Sequence, residues 1–139
     1  NLGQRLSRKV KDIMLTGASV PSVPEKTTME DAVEEINRSG LGITLVISSD
    51  DILVGIITDG DLRRLIAKKK SIIDLSVEDA MTKNPRTVGP NSPAYDALNM
   101  MEQYQITVLP ITDSIGKVLG ILHLHEILGK GDFKFNSQL

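Results

Sequence analysis

Residues 55–64 read GIITDGDLRR, which sets a hydroxyl, Thr58, three positions before a carboxylate, Asp61. Where a strand turns into a helix, a hydroxyl and the first free N–H groups can take a phosphate. A carboxylate three residues on can accept ribose hydroxyls. The same spacing is that of a capping box, which by itself would account for the pair. Asp59 and Gly60 are expected to shape the turn; the remaining ligands of a calcium loop are missing. Arg63 is a candidate for an anionic ligand, because a guanidinium binds phosphate or carboxylate in a bidentate way. Arg64 reads as solvated surface.

Residues 120–129, GILHLHEILG, repeat this frame with different polar groups. His123 stands where Thr58 stood, and Glu126 where Asp61 stood. His123 and His125 are the only histidines. If the strand continued, their i, i+2 spacing would put both rings on one face. They read as donors to a phosphate or carboxylate that change charge near neutral pH, or as surface and capping residues. With Glu126 they also suggest a metal pair, but no third ligand stands at motif spacing.

The elements that must position these residues come as a repeat. GIIT at 55–58 lies over GILH at 120–123, an offset of 65, and LGITLVI at 41–47 lies over ITVLPIT at 106–112 at the same offset. VKDIM at 10–14 lies over VEDAM at 77–81 at 67, so the first copy carries two extra residues in between. Two copies are too few for a solenoid, and a closed pseudo-two-fold pair is expected. Each copy reads as a short Asp-x-Met helix, capped by Ser7 or Ser76, then an extended stretch marked by prolines. An amphipathic helix follows. In copy one it opens at a Thr27–Glu30 capping box and buries Ala32, Val33 and Ile36; in copy two it opens at Ser92 and Pro93 and buries Ala97, Leu98 and Met101. Two strands follow, joined at SSDD or DSIG, and a last helix starts at Asp59–Asp61 or near His125. The fold class expected is α/β (α+β), with two β-α-β-β-α units whose sheets face each other. The first unit with an N-terminal linker helix covers 1–75 and the second covers 76–131. The tail, 132–139, is expected to fray or to pack in trans.

With 139 residues, a formal net charge of -2 and a pI near 5.7, the chain is long enough for a real core and has no field that favours nucleic acid. The absence of cysteine excludes a disulfide scaffold and a thiol nucleophile, and suits the cytoplasm. No apolar run approaches membrane length. The chain opens at Asn1 rather than Met, so a longer parent is expected. With aromatics at 3%, a base is expected to lie between aliphatic groups rather than on a ring. Candidates are Val23, Ile43, Thr44, Val88, Ile106 and Val108. The charge runs at 8–11 and 68–70 read as solvated surface.

These features resemble the CBS-domain family, in which paired units form a disc with two clefts that commonly hold nucleotides. An apolar residue, Thr58, two residues and Asp61 match that family's phosphate–ribose signature. LGQRLSRKVKDIMLTG, GLGITLVI, GIITDGDLRR and GILHLHEILGKG are further similar to the C-terminal CBS pair of D-arabinose-5-phosphate isomerases. The sequence departs from that pattern at Leu15, where His is expected, and at Glu126, where Asp is expected. The resemblance implies an upstream sugar-isomerase domain that interconverts D-ribulose 5-phosphate and D-arabinose 5-phosphate, at the entry to Kdo and Gram-negative lipopolysaccharide. It implies no required cofactor and a nucleotide-type effector such as CMP-Kdo, AMP or ATP. Three readings stay open: a ligand-sensing module, an assembly module that forms homo-oligomers through the Asp-x-Met helices, and the CBS pair of another parent protein such as a transporter or nucleotide dehydrogenase. An independent enzyme is disfavoured, because there is no paired-carboxylate site, nucleophile–base motif or phosphate-binding glycine loop.

Overall fold

The computed structural model describes residues 1–129; the expected tail lies outside the described residues. After helix α1 (Leu2–Ser7) and two 3-10 turns come strand β1 (Ser22–Pro24), helix α2 (Met29–Ser39), strands β2 (Ile43–Ile47) and β3 (Leu53–Thr58), and helix α3 (Asp59–Ala67). The second unit runs α4 (Val77–Ala80), β4 (Thr82–Lys83), α5 (Ala94–Tyr104), β5 (Val108–Thr112), β6 (Val118–His123) and α6 (Leu124–Leu128). This is the mixed α and β architecture expected from the repeat.

The caps show how local sequence starts the helices. Thr28, not Thr27, caps α2 by accepting from the Asp31 N–H, and Gly40 ends it in the left-handed conformation at φ 70°. Ser76 and Asp79 form the capping box of α4. Ser7 instead closes α1, and the VKD segment after it is a single 3-10 turn that Lys9 precedes without a side-chain cap. Helix α5 starts one residue later than expected: Pro93 is its cap residue and Ala94 its first residue.

The halves are interleaved. Strands β1, β2, β3 and β4 form one sheet in that order, with β1 parallel to β2 and the other pairs antiparallel. The last strand of this sheet, β4, follows the helix that opens the second copy. In return, Leu15 bridges Ile121 on β6, as its repeat counterpart Thr82 on β4 pairs with Ile56 on β3. The cores follow the exchange. Val77 packs with Val23, Met29, Ala32, Ile36, Val46 and Ile57 of the first unit. Its counterpart Val10 packs with Ala97, Met101, Leu109 and Leu122 of the second. Each unit thus buries a residue of the other, and neither apolar core is complete alone. A third cluster, Ile43, Leu45 and Ile121 with half-buried Leu15, Leu41, Ile56 and Val108, lies between the two sheets. Strand alternation sends Ile43 and Leu45 into this seam and Val46 to the helix side. Among the described residues no helix is long and apolar enough to cross a membrane.

Candidate functional site

The seam closes at its middle and opens into a cleft at each of two related places. The first cleft has a volume of about 660 Å³. Its apolar walls are Ile43 and Ile56 from the first unit and Ile106, Val108 and Pro110 from the second. The junction of β3 and α3 contributes Thr58, Asp59, Gly60 and Arg63, and the second unit contributes Arg86, Tyr104 and Thr107. The second cleft, about 550 Å³, is lined by Leu15, Ser19, Arg38, Ser39, Leu41, His123, His125 and Glu126, among others. Both volumes lie within the range of small-molecule sites. Leu41 borders both clefts.

In the first cleft, the Thr58–Asp61 capping box is formed. The Asp61 N–H donates to the Thr58 hydroxyl at 3.2 Å, and the Asp61 carboxylate accepts from the Thr58 backbone N–H at 2.9 Å and from its hydroxyl at 3.1 Å. The Thr82 hydroxyl of β4 adds a bond at 3.2 Å, and the Arg64 guanidinium pairs with the same carboxylate. Asp61 is 6% exposed, and this set of donors is what makes a buried carboxylate tolerable. It therefore sits under the cleft wall and fixes the turn that carries Thr58. Arg64, expected to be plain surface, has the specific task of holding Asp61 while its side chain stays 63% exposed. Arg63 faces the cleft. The Asp59 N–H donates to the Gly42 carbonyl at 3.0 Å, which ties the start of α3 to the loop before β2. With Arg63 and Arg86 against Asp59, the wall carries an excess of positive charge suited to an anion.

In the second cleft the strand ends at His123, so His123 and His125 do not share a strand face. Helix α6 starts at Leu124 and turns the chain, and the rings meet at 4.5 Å between centroids with a 55° tilt. The His123 Nδ1 accepts from the His125 N–H at 3.1 Å, so His123 caps α6 as Thr58 caps α3. Glu126, unlike Asp61, lines its cleft. Among the described residues no three His, Cys, Asp or Glu side chains gather as a metal site. Arg38 is tied to Glu35 at 2.6 Å and 3.0 Å. That hydrogen bond, helped by the Ser22 N–H and opposed by desolvation, lowers the Glu35 pKa, and Glu35 in turn raises that of Arg38.

Of the residues expected to bind, Thr58, Arg63, Ile43 and Ile106 meet in the first cleft, and His123, His125 and Glu126 in the second. Two expectations are corrected. Val23 and Val88 lie in the helix-side cores, because each sits on the sheet-edge segment under a helix. Thr44 is fully buried with its hydroxyl donating to the Leu45 carbonyl, because alternation turns it away from the seam. The aliphatic walls expected to flank a base are present, and Tyr104 also lines the cleft. Arg86 and Tyr104 were missed because no local motif marks them. The only signal was the repeat, which places the C-terminal end of α5 beside the N-terminal end of α3.

Comparison with known proteins agrees with this geometry. A family model described as CBS domain matches residues 10–68 and 77–131. Arabinose 5-phosphate isomerase KdsD of Yersinia pestis is 38% identical over 130 residues, which cover 94% of this chain and 39% of that protein. The chain therefore spans well under half the length of the curated relatives it matches. Among solved structures, an uncharacterized conserved protein from Pyrococcus horikoshii superposes with a TM-score of 0.77 at 28% identity, covering 91% of this chain and 93% of the other. CBSX2 of Arabidopsis thaliana, solved in complex with AMP, has a TM-score of 0.77 at 25% identity and covers 92% and 98%.

Proposed function

The chain belongs to the CBS-domain family, and from that premise we propose that it is the regulatory ligand-binding pair of an arabinose 5-phosphate isomerase. The observation that carries this reading is the first cleft. A capped helix start, two guanidiniums and an apolar slot converge there from both units. That combination suits a molecule with a phosphate at one end and a flat apolar group at the other, a nucleotide or a nucleotide-sugar. Arg63 and the start of α3 take the phosphate, with Thr58 at the wall. Ile43, Ile56 and Ile106 flank the base. Asp61, buried beneath the wall, holds the turn that presents Thr58 to the ligand. The relation to KdsD and the AMP complex of CBSX2 support the class of parent and of ligand. CMP-Kdo, which adds a carboxylate to a nucleoside phosphate, fits as an effector that reports on the product pathway of such an isomerase. Because each unit completes the other's core, a ligand wedged in the seam changes how the pair presents itself to an attached domain, a coupling of about 1–3 kcal/mol in typical cases.

The test is a thermal-shift panel on the folded chain with AMP, ATP, CMP, CMP-Kdo and arabinose 5-phosphate. A ligand at a hundred times its Kd is expected to add about 2.7 kcal/mol of stability. The expected result is a rise for at least one nucleotide-type compound that disappears in Arg63→Ala. A flat panel on folded protein would overturn the reading in favour of an assembly module.

A further inference from the structure

The Arg86 guanidinium lies over the Tyr104 ring, 3.3 Å from its centroid. Both residues line the first cleft, although they come from different elements: Arg86 from the segment after β4, Tyr104 from the last residue of α5. Tyr104 is 37% exposed, so the ring is no core residue. Arg86 forms no ion pair among the described residues, so its planar group is held by the ring and not by a carboxylate. A guanidinium backed by an aromatic face is a flat, weakly hydrated surface, and such surfaces stack well on other flat π systems. We propose that the Arg86–Tyr104 pair is the base-stacking platform of the first cleft, taking the heteroaromatic ring of a nucleotide on the guanidinium plane with Tyr104 behind it. The proposal rests on the nucleotide reading given above and deepens it.

The repeat supplies an internal comparison. At the offset of 65, Tyr104 corresponds to Ser39, and the segment of the first copy that corresponds to Arg86 brings Ala18 and Ser19 to the second cleft. The second cleft thus has the same outline without the platform. It offers two imidazoles, Glu126, serine hydroxyls and the Arg38 guanidinium, which is held by Glu35 rather than backed by a ring. The two clefts therefore differ in kind: the first carries a guanidinium backed by an aromatic ring, and the second does not.

The test separates base from phosphate. Binding of AMP and of ribose 5-phosphate is measured by calorimetry on wild type, Arg86→Lys, Tyr104→Leu and Tyr104→Phe. Arg86→Lys keeps the charge and loses the plane. It and Tyr104→Leu are expected to weaken AMP about tenfold, the scale of one lost base stack, and to leave ribose 5-phosphate within about twofold, since neither variant removes a positive charge from a phosphate. Tyr104→Phe keeps the ring and is expected to bind AMP like wild type. A direct readout accompanies these. The chain has no tryptophan and two tyrosines, so in Tyr95→Phe the emission comes from Tyr104 alone. AMP is expected to change that emission saturably and ribose 5-phosphate is not. If AMP binds wild type while the emission is unchanged and Tyr104→Leu keeps its affinity, the platform is refuted and the nucleotide reading stands. If Arg86→Lys weakens both ligands equally, Arg86 serves the phosphate and the platform is again refuted. If folded wild type binds none of AMP, ATP, CMP and CMP-Kdo, both the platform and the nucleotide reading fall.

Discussion

Asp61→Ala is the most informative single perturbation of the cleft's scaffold. Four donors converge on this carboxylate: the Thr58 N–H and hydroxyl, the Thr82 hydroxyl and the Arg64 guanidinium. Two are local to the start of α3, and Thr82 belongs to β4, the strand lent by the second copy. The side chain is 8% exposed, so these bonds are not in easy exchange with water. Losing the reciprocal cap costs about 1 kcal/mol. Bonds to a charged acceptor contribute about 1.5–3 kcal/mol each, but Arg64 and the hydroxyls regain water when the acceptor is gone. The N–H of Thr58 and the small cavity remain as net losses, for a total of about 2–3 kcal/mol. For a chain of this length that lowers Tm by roughly 8–12 °C. The assay is a thermal melt followed by far-UV circular dichroism, with urea unfolding as a check that the slope m is unchanged. Asp61→Asn, which keeps one acceptor oxygen, is expected to fall between Ala and wild type. A loss for Asp61→Ala smaller than about 0.5 kcal/mol, the scatter of ordinary surface substitutions, would refute the reasoning.

Further outcomes follow from the packing and from one titratable pair. A Cβ at Gly120 would stand 2.6 Å from the Leu15 carbonyl oxygen and 2.7 Å from the Met14 sulfur. Because a backbone oxygen cannot step aside, Gly120→Ala is expected to cost about 2–3 kcal/mol in urea unfolding, at the upper end for overpacking. Leu45, fully buried in the seam, is expected to cost about 3 kcal/mol when cut to Ala, which the same unfolding curves measure. The Glu35 carboxyl is depressed by Arg38, so its stabilising effect is present above the pKa of an unfolded glutamate and is lost as pH falls through the lower folded value. Wild type is therefore expected to be more stable than Glu35→Gln at pH 7, with the difference vanishing in melts taken below about pH 4, and with the gap narrowed by salt because the pair is near the surface.

The sequence was most legible where local chemistry repeats. The GIIT and GILH frames give two strand-to-helix turns, and the structure caps both helices at the aligned positions, Thr58 and His123. The turns at SSDD and DSIG join the strands as expected, since each segment offers turn residues between two β-branched runs. Cap positions slipped by a residue where two candidates stood together, as at Thr27 and Thr28. What could not be seen was the exchange between halves. VKDIM and VEDAM look alike, and nothing local shows that Val10 packs in the second unit and Val77 in the first. The same non-local pairing hid Arg86 and Tyr104, which are separated along the chain and meet only through the fold. Thr44, Val23 and Val88 were misplaced for a simpler reason: an apolar or small residue in a strand fits either face, and only the register of β2 with β3 decides between seam and core.

The most direct test of the central claim is an amide chemical-shift map of the folded chain titrated with AMP and with CMP-Kdo. The expected result is a saturable set of shifts on both walls of the first cleft, at Thr58, Gly60 and Arg63 from one unit and at Arg86 and Thr107 from the other. Shifts confined to one unit, or no shift at millimolar ligand, would contradict a nucleotide site built between the two halves.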